Sequence, residues 1–347
     1  MAADQVLDAP VLVPVAIGGE RATIRERLLP VGAMQVDDAH FQFDSSFVLP
    51  DARDDFVVID VVRRVNPGAP LSLFGHADPV GDDEYNKVLS GRRALAIFAV
   101  LVRRTDIWER LHAKPHGRDA WGAAEFTAMR AALGIGEGTA EVPRSAGERA
   151  TLFSAYMDFL CRDLVGEAYQ LDVARDFLAR GADKDGKGDV QGCGEFNPDV
   201  ILPIDFPNRE RRGPDAARDA ANAPNRRVVA LFFKPGSMAD PRVWPCPRAL
   251  EGTAACRKRL WSDALKRRSA GPALRAQQQS HDTYACRFYD RIALADPRGT
   301  SIGSLGIGTF APEAVDPAES ETEAHPASNA EIFDGPVSNR VILPPTI

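Results

Sequence analysis

The chain has 347 residues, enough for two or three structural units that each bury a core. Hydrophobic residues make up 44% and charged residues 26%, the profile of a soluble globular protein. A net charge of -7 argues against nucleic-acid binding, which needs a basic face, and no run of about 18 apolar residues is present to span a membrane.

Residues 1–19 (MAADQVLDAPVLVPVAIGG) contain no Lys or Arg, carry Asp4 and Asp8, and are broken by Pro10 and Pro14. A secretory signal needs a basic start and an unbroken apolar stretch, so this segment does not read as one. The expectation is an extended N-terminal segment over 1–37 and synthesis in the cytoplasm without a signal peptide. Five cysteines are too few for a disulfide scaffold at this length.

Residues 40–46 (HFQFDSS) alternate, with Phe41 and Phe43 on one face, and read as a strand. A helix follows over 51–66, with Phe56, Ile59, Val62 and Val65 inward and Gly68 as its stop. Residues 69–77 (APLSLFGHA) read as a second strand, and 85–104 as a second helix through Leu95, Ile97, Phe98, Val100 and Leu101. Strand–helix–strand–helix at this spacing implies a right-handed crossover with helices against a sheet. Residues 105–178 look mostly helical. Phe126, Met129 and Leu133 are at helical spacing, as are Leu152, Tyr156, Phe159 and Leu160. Residues 181–194 are a Gly- and Asp-rich turn region, and 228–233 (VVALFF) have the continuous apolar character of a buried strand. Residues 310–336 are rich in Pro, Ala and Glu without Lys or Arg, a composition too polar to fold; an extended tail is expected there.

The chemistry-bearing stretch is D-P-V-G-D-D-E-Y-N-K-V-L-S-G-R-R-A, from Asp78 to Ala94. With the residues before it, this resembles the signature of the OmpA-like peptidoglycan-binding family. That signature has G-H-x-D at a strand end, a glycine loop, and N-x-x-L-S-x-x-R-A on a helix. It falls here on Gly75, His76, Asp78, Gly81, Asn86, Leu89, Ser90, Arg93 and Ala94. Phe43-Asp44-Ser45-Ser46 resembles the family's first strand. The family's third strand, led by Asn-Arg-Arg-Val, does not follow Arg104 but stands at Asn225-Arg226-Arg227-Val228, and residues 192–198 (GCGEFNP) resemble its G-x-G-E-x-x-P segment. The resemblance therefore implies a split α/β (α+β) domain, a βαβαβ mixed sheet built from 38–104 and 190–235. Residues 105–189 are then a helical insertion, 236–300 a Cys- and Trp-containing extension, and 301–347 an acidic, Pro-rich tail. The sequence departs from the pattern at Ala77, where the family usually has Thr, and at Pro79, which stiffens the loop after Asp78.

Physical chemistry points the same way. Asn86 and Arg93 are two helical turns apart and share a face. A helix N-terminus near Asn86 favours a ligand carboxylate, which Arg93 can grip with its planar fork, while Asp78 can pair with an ammonium. Such a site suits a zwitterionic amino acid. In the family that ligand is the diaminopimelate of the peptidoglycan stem peptide, and the family's further contacts map to Asp44 and Arg226. A surface Asp–Arg ion pair on an ordinary βαβ unit is the plainer alternative.

Weaker signals remain. The stretch from Phe126 to Phe153 faintly resembles a small three-helix peptidoglycan-binding module, against plain helical packing. Cys246, Cys256, His281 and Cys286, with Cys193 joining, are candidate zinc ligands but lack the C-x2-C knuckle; buried thiols or later disulfides are the alternatives. Asp183, Asp185 and Asp189 suggest a calcium loop whose twelfth position is Gly194 rather than Glu. Basic residues Arg257 to Arg259 and Lys266 to Arg268 flank Trp261 and read as an exposed helix face, with an acidic partner or the wall's anionic polymers as the functional alternative. No catalytic triad or cofactor is expected. The function expected is non-enzymatic binding of peptidoglycan in the periplasm. The extension resembles OmpA-family proteins found with type VI secretion or contractile injection systems, which makes such an assembly a candidate partner. The rival is a delivered wall-degrading effector whose 236–300 region or insertion does the chemistry.

Overall fold

The structure, a computed structural model, describes residues 11–17, 20–26, 28–136, 141–200, 216–257, 260–262, 284–286, 288, 289 and 292. His281, most of the basic stretch from Lys258 to Arg268, and the tail from residue 301 lie outside these.

Strands β1 (Val11–Ile17) and β2 (Glu20–Glu26) pair antiparallel. The main sheet contains β3 (Pro30–Asp37), β4 (Leu71–His76), β5 (Val190–Gly192) and β6 (Arg227–Phe233), in the order β3-β6-β4-β5. β6 runs antiparallel to both neighbours, with Phe74 opposite Val229, and β5 runs parallel to β4, with Leu73 opposite Val190. Helices and a mixed sheet make this an α+β fold.

The sheet explains why VVALFF shows no polar alternation. Val228, Ala230 and Phe232 face a core shared with the helices, whereas Val229, Leu231 and Phe233 face a second core on the other side. A strand covered on both faces has no position at which a polar residue meets water. The first core receives Phe56, Ile59 and Val62 from α1 (Arg53–Val65), whose first turn carries Asp54 and Asp55. The second core is closed by Trp244, Phe288 and Tyr289 from the C-terminal extension.

Helix α2 (Asp83–Val102) starts with Asp82 as N-cap, its carboxylate accepting the Tyr85 N–H at 3.0 Å, and from Asn86 onward is buried except at the half-buried Val88. It lies against β4 and β5 so closely that a Cβ on Gly75 would come 2.0 Å from the Ser90 carbonyl oxygen. The extension presses on α2 from outside. A Cβ on Gly91 would stand 1.9 Å from the Ala249 oxygen, and the wholly buried Lys87 donates from Nζ to the carbonyls of Glu251 (2.9 Å) and Ala249 (3.4 Å).

Helices α3 (Thr105–Ala113), α4 (Ala123–Leu133) and α5 (Ala146–Leu160) share the first core. Trp108, Phe126, Phe153 and Tyr156 bury their rings beside Phe47, so the helical region has no separate core among the described residues. The short helices α6 (Val173–Asp176), α7 (Ala216–Asn222) and α8 (Ala254–Arg257) and the pair β7 (Leu260–Ser262) and β8 (Tyr284–Cys286) complete the described elements.

The edge strand differs from the sequence expectation. Residues 40–46 do not form it; β3 does, starting ten residues upstream within the segment read as extended. Phe41 keeps only an isolated bridge to Val48, Asp44 takes a left-handed φ of 54°, and Phe43 is 67% exposed. The Phe-x-Phe alternation belongs to a turn that closes on its own backbone, Gln42 N–H to the Phe47 oxygen (3.2 Å) and Ser45 N–H to the Gln42 oxygen (3.0 Å), instead of pairing with the sheet.

Candidate functional site

The site lies at the end of the sheet where β4 hands over to α2 and β6 begins. Asp78, on the loop after β4, is 9% exposed. Its Oδ1 accepts the Val80 N–H at 2.9 Å and its Oδ2 accepts Arg226 Nη1 at 2.5 Å. Arg226, just before β6, also places Nε 2.7 Å from Asp38 Oδ2 and donates from Nη2 to the Asp219 carbonyl at 2.9 Å. Asp38 follows β3 directly. Its other oxygen takes Arg93 Nη1 at 3.2 Å, and Arg93 Nε donates to the Ser45 carbonyl at 2.9 Å. The Arg93 guanidinium lies 4.9 Å from the centre of the Phe41 ring.

The geometry is therefore a chain, Arg93–Asp38–Arg226–Asp78, and not the direct Asp78–Arg93 confrontation that motif spacing suggests. Asn86, 4% exposed, donates to the Asp78 and Val80 carbonyls (3.0 and 3.2 Å) and to Glu195 Oε2 (3.2 Å), stitching the loop to α2. Asp44 stands at the rim, accepting from the Tyr85 hydroxyl at 2.7 Å with Arg118 Nε 3.8 Å away. Four of the five motif positions, Asp78, Asn86, Arg93 and Arg226, come together in one network with Asp38 and Glu195. Asp44 lies beside it and is linked through the Ser45 backbone. Asp38 and Glu195 were missed. Asp38 is hidden in an Asp37-Asp38 pair after a strand the sequence reading did not find, whereas Glu195 sits in the G-x-G-E segment and could have been named from it.

Burial sets the electrostatics. It pushes the Asp78 carboxyl above the usual carboxylate range against the pull of Arg226, and it lowers the Arg93 guanidinium despite Asp38. Arg226 loses to burial as well, but Asp38 and Asp78 together hold it above its ordinary value. The charges are thus mutually dependent, and neither Arg93 bond uses Nη2. A ligand carboxylate arriving at Arg93 and Arg226 can displace Asp38, and an ammonium can take the place that Arg226 fills on Asp78.

Among the described residues the cysteines form no metal centre. Cys193 is buried and Cys246 half-buried, and desolvation pushes both thiols up, with Cys286 and Cys256 nearby adding less strongly. Among the described residues, no three His, Cys, Asp or Glu side chains are arranged to hold a metal. Asp183, the first residue of the suggested calcium loop, is paired with Arg248 at 2.7 Å, and Asp189 turns inward to accept the N–H groups of Ala179 and Gly181. No described helix is long and apolar enough to cross a membrane.

Parts of the chain are similar to two outer membrane proteins. Outer membrane porin F of Pseudomonas fluorescens is 36% identical over 66 residues, 19% of this chain and 20% of that protein. Outer membrane protein 41 of Porphyromonas gingivalis is 32% identical over 90 residues, 23% of this chain and 22% of its own. A 117-residue stretch is 31% identical to photosystem I P700 chlorophyll a apoprotein A2 of Gloeobacter violaceus, covering 32% of this chain and 13% of that protein. The chain thus spans about a fifth or less of the length of the curated relatives it matches. No family model and no solved structure matches it.

Proposed function

We propose that this chain binds peptidoglycan non-covalently, through the diaminopimelate of the stem peptide. The observation that carries the reading is the convergence of Asp78, Asn86 and Arg93 from the β4–α2 motif with Arg226 just before β6. These groups offer two guanidinium forks for a carboxylate and acidic partners for an ammonium, the two ends of a zwitterion. The partial similarity to two outer membrane proteins supports a place in the cell envelope. The protein acts as a binder and not as a catalyst in this reading. Its extension, folded against α2 and the sheet, is available to hold a second protein, and we place that partner in a contractile injection or type VI secretion assembly on the resemblance of the extension alone.

Co-sedimentation with purified sacculi tests the reading. Sacculi whose stem peptides carry diaminopimelate should retain the protein. Sacculi with lysine at that position lack the second carboxylate and should not. Equal retention by both would sink the diaminopimelate assignment, and release of soluble fragments during incubation would sink the non-enzymatic one.

A further inference from the structure

The helical region between α2 and β5 reaches the site at the turn from His116 to Asp119. Its ends exchange backbone hydrogen bonds, His116 N–H to the Asp119 oxygen (3.1 Å) and Asp119 N–H to the His116 oxygen (3.0 Å). The turn touches the Asp44 loop on two sides. From below, the wholly buried Asp119 carboxylate accepts Ser45 Oγ (3.0 Å), Ser46 N (2.8 Å) and Ser46 Oγ (2.7 Å), fixing the two residues after Asp44. From the side, the His116 ring stacks on Tyr85 with centroids 4.8 Å apart and planes 14° from parallel. Tyr85 in turn donates its hydroxyl to Asp44. Gly117 has a left-handed φ of 57°, and a Cβ there would come 2.5 Å from the Tyr85 ring, so the turn is moulded to that tyrosine. Between these supports Asp44 holds its left-handed backbone, a conformation a non-glycine residue keeps only when its surroundings impose it.

We propose that the His116–Asp119 turn is a wall of the ligand site and that His116 is a positioning residue acting through Tyr85 on Asp44. This rests on the wall-binding reading of the site. The helical region thereby sets the pose of Asp44, a rim carboxylate that joins Asp78 in drawing the ligand's ammonium, which makes affinity sensitive to residues more than 20 positions beyond the motif's last residue.

Titration calorimetry of the full chain with a soluble diaminopimelate-containing muropeptide tests this. Replacing the ring by a methyl in His116→Ala should weaken binding about five- to tenfold, the scale of one aromatic pair, without lowering the melting temperature by more than a few degrees. The His116 Nε2 is buried without a hydrogen-bond partner, so His116→Phe keeps all that the stack provides and should restore wild-type affinity. Tyr85→Phe keeps the stack, loses the bond to Asp44, and should weaken binding as His116→Ala does. Combining the two should add little, because both act on one link. Wild-type affinity in His116→Ala and Tyr85→Phe, with the wild-type chain binding normally, would overturn the inference alone. No binding by the wild-type chain would overturn the wall-binding reading and this inference with it.

Discussion

Arg92 and Arg93 are neighbours on α2, yet they stand in networks of opposite character. Arg92 donates to Asp119, to the Leu111 carbonyl and to the Lys114 carbonyl, using all three nitrogens. Asp119 answers with both oxygens, taking Ser45, Ser46, Trp121 and Arg92. Nothing in that pair is left for a ligand, and Asp119 has no exposure at all. Arg93 makes two bonds, one of them to an aspartate that it shares with Arg226. Both arginines are buried, so burial alone does not separate structural from functional charge. Saturation does. A saturated network gains nothing from a newcomer, whereas a chain of shared partners can exchange one of its own members for a ligand group at little net cost.

Removing Asp119 should give the largest effect. Asp119→Ala leaves Arg92 charged and unpaired in the core and releases three bonds to the Ser45–Ser46 loop, so stability should fall by ~3–5 kcal/mol in denaturant unfolding. Adding Arg92→Leu should recover a large part, because the stranded charge and not the missing contact is the main cost. If the single variant unfolds at wild-type denaturant concentration, the contrast between the two arginines fails.

The site network should break differently. Arg93→Ala, Arg226→Ala or Asp78→Ala should each lower affinity for diaminopimelate-type muropeptide by ~2–5 kcal/mol, the range for truncating one member of a buried charged pair. Loss of pull-down on sacculi at physiological salt reads this. Arg63→Ala, whose side chain serves Asp60 on α1, should bind as the wild type does. Retained binding in all three site variants would make the Arg93–Asp38–Arg226–Asp78 chain a purely structural network like that of Arg92.

Much of this was legible in the sequence. The order β4, α2, β6 follows from apolar runs and caps, and the motif named Asp78, Asn86, Arg93 and Arg226 before any geometry was known. What failed was the pairing among them. Asp38 could not be found because the alternation at Phe41 and Phe43 imitates a strand better than PVGAMQVD, in which glycine and alanine weaken the pattern that β3 obeys. Asp119 was invisible for another reason. Its role depends on α3 and α4 packing into the same core as α2, a tertiary fact that no local spacing records. The helical region looked like an insertion in the chain, but Trp108, Phe126 and Tyr156 make it part of the domain's interior.

A third carboxylate sharpens the rule at smaller scale. Asp55, in the first turn of α1, is half-buried where Asp119 is fully buried, and it is unsaturated. Its Oδ2 has no hydrogen-bond partner, and His40 Nε2 lies 3.6 Å away. Burial, with Asp37 and Asp54 nearby, raises its carboxyl to about 8 from an ordinary 3.8. The folded protein therefore holds a proton there that the unfolded chain has released at neutral pH. Between 3.8 and about 8 unfolding sheds that proton, so rising pH draws the equilibrium toward the unfolded state. Above about 8 both states are ionised and this contribution to the slope vanishes. Going from pH 6 to pH 7 the wild type should lose ~1.4 kcal/mol that Asp55→Asn does not lose, since the amide carries no titrating proton. The comparison is between two pH slopes, so titrating groups that do not touch Asp55 cancel. Parallel stability curves for the two proteins across that interval would show that His40 and the helix N-terminus already hold Asp55 ionised, and that an unsaturated half-buried carboxylate need not stay protonated here.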